Sequence, residues 1–241
     1  MFTGLFKNVS EEDKNAAIAD IIQHATPRHD FFLMLTLAVA MAAFGIILGS
    51  TVILVGSMLI APLLYPFLSL SLGIIVSDEK LIGRSFYTIG KSVVFALAAS
   101  AVIGFLFSSH TVSTLALPLG GTGLPSSLMY ILVAAIAGFA AAFAMTKPYL
   151  NETLPGVAIA VALVPPLSAA GIALSLFDWA DFSNALLLFV VNGIGIVFSA
   201  MIVFALFRFS VKKTVTKEAV KEGDKIIKQE ATPVKPAKPT P

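Results

Sequence analysis

Four prolines stand where apolar helices should run uninterrupted. Pro62 and Pro66 lie in VGSMLIAPLLYPF, and Pro165 and Pro166 in AVALVPPLSAAG, each pair near the middle of a long apolar run. A proline inside a helix removes a backbone hydrogen bond and clashes with the preceding turn, at a cost of about 3 kcal/mol. Lipid cannot solvate the carbonyls it frees. Matched interruptions in two halves of a membrane chain therefore point to backbone polar groups offered to a solute or ion near the bilayer midplane. Proline also suits the first turn of a helix. Each break should then open a half-helix whose N-terminal amides favour negative charge, after a half-helix whose free carbonyls favour cations.

The side chains around these prolines are short and uncharged. Ser57 and Ala61 precede the first pair, Tyr65 stands between its members, Ser69 and Ser71 follow it, and Ser168 follows the second pair. The hydroxyls offer lone pairs and one proton each; the phenol adds an aromatic wall with a polar tip. In the last apolar run Asn192 is the most polar uncharged residue, and Gly193 and Gly195 let another backbone come close. An Asn in lipid either joins helices, worth about 0.6 to 2 kcal/mol, or clamps the broken backbone or touches a ligand. Lys91 lies about two turns past Arg84. It either snorkels to the headgroups or attracts an anion and pairs with a freed carbonyl. The candidate site is thus Ser57, Ala61, Pro62, Tyr65 and Pro66 opposite Pro165, Pro166 and Ser168, with Asn192, Gly193 and the Lys91 charge nearby.

Enzymatic readings do poorly on the same residues. His24, His29 and His110 are the only histidines, and a Ser-His-Asp triad would have to join the N-terminal segment to loops. No span supplies a base, no metal-ligand spacing occurs, and the chain contains no cysteine. No cofactor or metal is expected. Gly120-Gly121-Thr122-Gly123 lacks the Lys-Ser/Thr ending of a phosphate loop and reads as a loop between Pro118 and Pro125. No acidic residue lies deep in a span, which argues against a carboxylate proton relay and leaves open sodium held by carbonyls and hydroxyls.

The elements that position these residues follow from composition. Of 241 residues 57% are hydrophobic and 12% charged, against about 25% charged in a soluble domain. Six runs meet the length of about 20 mostly apolar residues that a membrane helix needs: Phe32 to Gly49, Thr51 to Val76, Ser85 to Phe107, Leu128 to Thr146, Leu154 to Phe177, and Asn184 to Phe207. Lys and Arg fall in alternate connections, while the loops at Ser50, Ser108 to Ser127 and Asp178 to Ser183 have none. By the positive-inside rule both ends are cytoplasmic, in the cell membrane. The first thirty residues are too polar for a signal peptide, so the first span is expected to target the chain. Three spans followed by three enter the membrane from opposite sides, which predicts an all-α, 3+3 inverted repeat. Its second and fifth helices would be broken by the proline pairs. A shift of 103 residues places Pro165 on Pro62.

The string from Phe31 to Pro66, with Gly49-Ser50, Gly56-Ser57-Met58-Leu59-Ile60-Ala61-Pro62, Ala162-Leu163-Val164-Pro165-Pro166-Leu167 and Asn192, resembles the bacterial and archaeal membrane family called domain of unknown function 389. The resemblance covers about Arg28 to Phe207 and implies a multi-pass fold without assigning a substrate. Tyr65 departs from it, standing where a small residue is expected.

The ends read as soluble. Ser10 with Glu11, Glu12 and Asp13 resembles a capping box, opening a short amphipathic helix striped by Ala17, Ile18, Ile21, Ile22 and Ala25 within the cytosolic segment 1–31. This helix would lie on the inner leaflet or pack on a neighbouring subunit. The six spans fill 32–207, as repeats at about 32–107 and 128–207. The tail 208–241 is charged and Lys/Pro-rich; Lys212 to Gln229 reads as a marginal helix and the remainder as extended and disordered. The sequence therefore suggests a carrier or channel for a small solute or ion, working in a lipid bilayer as a homo-oligomer, with no role for nucleic acid. The alternative is a membrane scaffold or regulator in which the prolines only kink helices.

Overall fold

The computed structural model describes residues 9–107, 124–147, 150, 155–209 and 213–231, and within them all side chains but those of 124–128, 130, 155–162, 213 and 231. Among the described residues the chain is helical, with no strand. The helices are α1 (Glu11–His24), α2 (His29–Ile47), α3 (Thr51–Ile60), α4 (Leu64–Val76), α5 (Glu79–Phe107), α6 (Leu124–Met145), α7 (Pro155–Ser175), α8 (Trp179–Leu206) and α9 (Lys213–Ala231). Three of them, α2, α5 and α8, are long and apolar enough to cross a membrane, and the pair α3–α4 adds a fourth span if the bent pair is one. In α6 and α7 the described apolar segments are the shorter Ile131–Met145 and Leu163–Ser175. The protein is a helical membrane protein.

The two proline pairs have different outcomes. Pro62 does break its run: α3 and α4 are bent by 50° across a three-residue gap. Ala61, which precedes the proline, takes an extended conformation (φ −74°, ψ 124°), as the proline ring demands of the residue before it. The expected break in the fifth run is corrected by the structure, for α7 passes through Pro165 and Pro166 as one helix. Every side chain of α7 from 163 to 173 is buried, against α2, α3, α5, α6 and α8. Apolar contact on all sides offsets the roughly 3 kcal/mol that a proline costs inside a helix.

Small residues let these helices touch backbone to backbone. A Cβ on Gly171 of α7 would lie 2.8 Å from the Leu97 carbonyl of α5, and one on Gly104 would lie 3.1 Å from Ile172 Cα. Gly138 of α6 stands in the same way against Ile196 of α8, at 2.6 Å from its Cα. Ala134 and Ala142, on the same stripe as Gly138, are fully buried. In the first span Gly45 faces Leu54 of α3, whereas Gly49 has φ +63° and makes the turn into α3. Ser50 then caps α3, its Oγ accepting from the Ile53 N–H.

Two turns share one build. Ser77 is left-handed (φ 56°), Asp78 donates its N–H to the Gly73 carbonyl at 3.0 Å, and the Asp78 carboxylate caps α5 at the Leu81 N–H. One hundred residues later Phe177 is left-handed (φ 58°), Asp178 donates to the Ala173 carbonyl at 3.0 Å, and its carboxylate caps α8 at the Ala180 and Asp181 N–H groups. These turns lie 100 residues apart, as do Pro66 and Pro166, whereas a shift of 103 sets Pro165 on Pro62. Moreover α5 packs on α7, and α8 on α4.

A second layer covers the end of the bundle where α2 and α5 begin, here termed the charged end. The capping box of α1 forms, with Ser10 Oγ accepting from the Asp13 N–H at 3.0 Å and Asp13 accepting from the Ser10 N–H at 3.1 Å. Its stripe, Ala17, Ile18, Ile21 and Ile22, is buried on α4 and α9 of the same chain. Within the tail the helix read at Lys212 to Gln229 is α9, while 232–241, read as extended, lies outside the described residues. Arg84 of α5 fastens this layer. Its guanidinium donates to the Val220 carbonyl and the Asp224 carboxylate, both at 3.3 Å, and to the Thr26 hydroxyl. A Cβ on Gly223 would come within 2.5 Å of the guanidinium.

Gly171→Val should lower bundle stability by about 1–3 kcal/mol through overpacking against α5. Gly90→Ala, which meets nothing within 4 Å, should leave it unchanged; unfolding midpoints in detergent make the comparison.

Candidate functional site

The break between α3 and α4 is built from backbone. With 10 residues, α3 rises about 15 Å, half of the roughly 30 Å hydrocarbon layer. Where α1, α2, α4 and α8 each close with a backbone hydrogen bond from the cap residue, Ala61 makes none. The last carbonyls of α3 therefore point into the break. Across it, α4 starts at Leu64 without a side-chain cap. Pro66 is the third residue of α4, within the first turn, where a missing N–H removes no intrahelical bond. Carbonyl ends and amide ends thus meet at Ala61, Pro62 and Leu63, of which Ala61 and Pro62 are half-buried.

Two helices wall this point. On α8, Gly193 admits the ring of Phe67, whose Cε1 would lie 2.5 Å from an added Cβ; Phe67 also meets Phe189 edge-on at 6.0 Å. Asn192 is 3% exposed beside that contact. Asn192 and Gly193 are thereby brought to the first turns of α4. On the other side α7 packs on α3, with Pro165 and Pro166 buried in its middle.

The hydroxyls are largely engaged. Ser57 donates to the Leu54 carbonyl at 2.6 Å, Ser71 to the Phe67 carbonyl at 2.8 Å, Ser85 to Ser69 at 2.9 Å, and Ser168 to the Val39 carbonyl at 3.2 Å. The last two join α5 to α4 and α7 to α2. Each of these oxygens keeps acceptor capacity, so the serines can still serve a cation.

Tyr65 and Lys91 sit elsewhere than expected. The Tyr65 ring turns to α1 and stacks on His24, centroids 4.7 Å apart and planes 25° apart. It joins the break to the outer layer and does not wall a space between two breaks. His24 Nδ1 lies 3.1 Å from the Asp20 carboxylate and 3.0 Å from the Asp20 carbonyl. The hydrogen bond to the Asp20 side chain raises the His24 pKa above the ordinary value, against the opposing effects of burial and Arg28. Sequence reasoning passed over His24, which is exposed and follows Ile21 by three residues, at the edge of the buried stripe. The Lys91 ammonium lies over the Phe32 ring, 4.3 Å from its centroid, and 5.8 Å from that of Phe95.

Among the described residues a cleft of about 610 Å³ lies between α5 and α9 and includes Lys91, and another of about 240 Å³ is lined by Thr51, Val52 and Val55. Neither includes a proline of the break. Among the described residues no three acidic or histidine side chains converge as a metal site; Gly120 to Gly123 lie outside the described residues.

The family model described as domain of unknown function 389 matches residues 58–198. The chain belongs to that family. Its match begins at Met58 in the last turn of α3 and ends within α8, so it contains the break, both proline pairs and Asn192, while α1 and α9 fall outside. An uncharacterized protein of Methanocaldococcus jannaschii is 32% identical to this family member over 190 residues, which cover 79% of the chain and 58% of that relative. The chain thus spans less than two thirds of the relative's length. No solved structure matches.

Because Asp20, one turn earlier on the same helix, raises the His24 pKa in the folded chain, protonation stabilises the folded α1 helix. That contribution is complete below the ordinary value of 6.5 and is lost as pH rises through the raised value. Asp20→Asn should move the His24 titration downward, as read from imidazole NMR shifts; an unmoved titration would remove Asp20 as its partner.

Proposed function

We propose that this protein is a membrane transport protein, a secondary carrier or channel for a small solute or ion, with its site at the α3–α4 break. The observation that carries this reading is that α3 ends after 10 residues without a cap hydrogen bond, a length that would reach about half-way across a hydrocarbon layer. Backbone carbonyls at such a depth need protein, water or a ligand to satisfy them. Asn192 and the first turns of α4 bound the site on one side, and α7 bounds it on the other. The carbonyls and the acceptor lone pairs of Ser57 suit a cation, while the opening amides of α4 suit the negative end of a polar solute.

The paired turns at Ser77-Asp78 and Phe177-Asp178, and the packing of each half's third helix on the other half's second, support a 3+3 inverted repeat of six spans. In that arrangement the charged end faces the cytoplasm, because Lys80 and Arg84 lie there. The repeat is then asymmetric at its centre: one half opens at its proline pair and the other is held closed by packing. A homo-oligomer in the cell membrane suits six short spans, and the absence of a base in any span argues against an enzyme. The unbroken α7 and the engaged hydroxyls favour one rival, a scaffold in which the prolines shape helices only.

Purified protein in liposomes should move at least one member of a panel of small cations, anions and polyols. Pro62→Ala restores an N–H able to bond the Met58 carbonyl and should reduce that flux about tenfold or more, as for the loss of one ligand worth about 1.4 kcal/mol. Liposomes that move nothing across the panel would favour the scaffold.

A further inference from the structure

The cleft of about 610 Å³ at the charged end is unrelated to the break. One wall is the beginning of α5, the other is α9 with Val220, Asp224 and Ile227, and Pro27 closes the side. Along α5 the lining residues Lys80, Arg84, Tyr87 and Lys91 recur every three or four positions and so share one face. That face carries cations over about 16 Å of helix.

The charges are not equally available. Arg84 and Asp224 bind each other, and Arg84 is further engaged by Val220 and Thr26. Glu79 lies in the first turn of α5, where a carboxylate complements the helix dipole. Among the described residues no carboxylate lies within ion-pair distance of Lys80 or Lys91. Lys80 and Lys91 are thus the two cations of the cleft without an ion pair among the described residues, in a lining that also holds Glu79 and Asp224. Lys91 rests on Phe32, a contact that leaves its N–H donors for an anion.

The same face continues as an apolar track. Beyond Lys91, α5 exposes Val94, Phe95, Val102 and Phe105, and Tyr87 is 63% exposed at the level of the cleft. Tyr beside Lys at a helix end is the composition of a headgroup region, and a basic pocket between helices on the positively charged side of a membrane protein suits an acidic headgroup. A free anion would use the lysines but not the track.

We propose that this cleft binds an anionic phospholipid, its phosphate at the Lys91 ammonium and its headgroup extending past Tyr87 toward Lys80, with an acyl chain along Val94, Phe95 and Phe105. The lipid would fill the gap between α5 and α9 that Arg84 bridges at one point. Arg84 positions the far wall, so it is not the residue to change.

Native mass spectrometry of the full chain, with phosphatidylglycerol and phosphatidylcholine of identical acyl chains, tests this. Wild type should retain phosphatidylglycerol about thirtyfold more tightly, as expected for two lysines near an anionic headgroup. Lys80→Gln with Lys91→Gln should bring the two lipids within about twofold of each other, while Lys217→Gln with Lys221→Gln, which removes the same charge from exposed sites on α9, should keep the preference. Lys80→Arg with Lys91→Arg should also keep it, and covers the case in which the glutamine pair fails to fold. Equal retention of both lipids by wild type, a preference that survives Lys80→Gln with Lys91→Gln, or full displacement of phosphatidylglycerol by millimolar inorganic phosphate would overturn the proposal.

Discussion

In an apolar bundle every polar group must find its partner inside the protein, and the architecture follows from how each one does so. Hydroxyls solve the problem locally: Thr36, Ser57, Ser71, Ser92 and Ser100 each bond a carbonyl three or four residues earlier. Ser168 and Ser85 instead reach across to another helix. The end of α3 is the point where the backbone itself departs from this rule. An uncapped helix end in apolar surroundings costs free energy, and a structure that keeps one has a use for it or a neighbour that compensates.

The same constraint explains why α7 takes the central place. A helix with Pro165 and Pro166 inside it is poor on its own, and it survives where protein buries its residues 163–173. Gly171 and Gly104 bring α5 against it, Gly138 brings α8 against α6, and Gly193 brings Phe67 against α8. Dense contact among small residues supplies dispersion where the hydrophobic effect offers nothing between helices in lipid. The broken span, by contrast, has Ala61 and Pro62 half-buried at its gap.

The layer at the charged end obeys different physics. There water is available, and α1 docks by burying Ile18, Ile21 and Ile22, while Arg84, Asp224, Thr26 and Gly223 set where α9 lies. His24 on Tyr65 joins this layer to the broken span. The contact places a titratable ring on the first turn after the break, so the aqueous layer and the membrane core share one mechanical junction.

Sequence alone determined the helical membrane class, the run lengths, the capping box at Ser10, the break at Pro62 and the family. Each rests on local chemistry: apolar length, a side-chain oxygen three residues from an amide, or a ring without an N–H. Which proline pair would break its helix was decided only in the tertiary structure, because the cost of a proline is local but the packing that offsets it around α7 is not. The same holds for Tyr65 and Lys91. Their types were legible as aromatic and cationic, yet their neighbours, His24 and Phe32, come from helices distant in sequence. The alike turns at Ser77 and Phe177 also needed three dimensions, because a left-handed residue is visible only as backbone geometry.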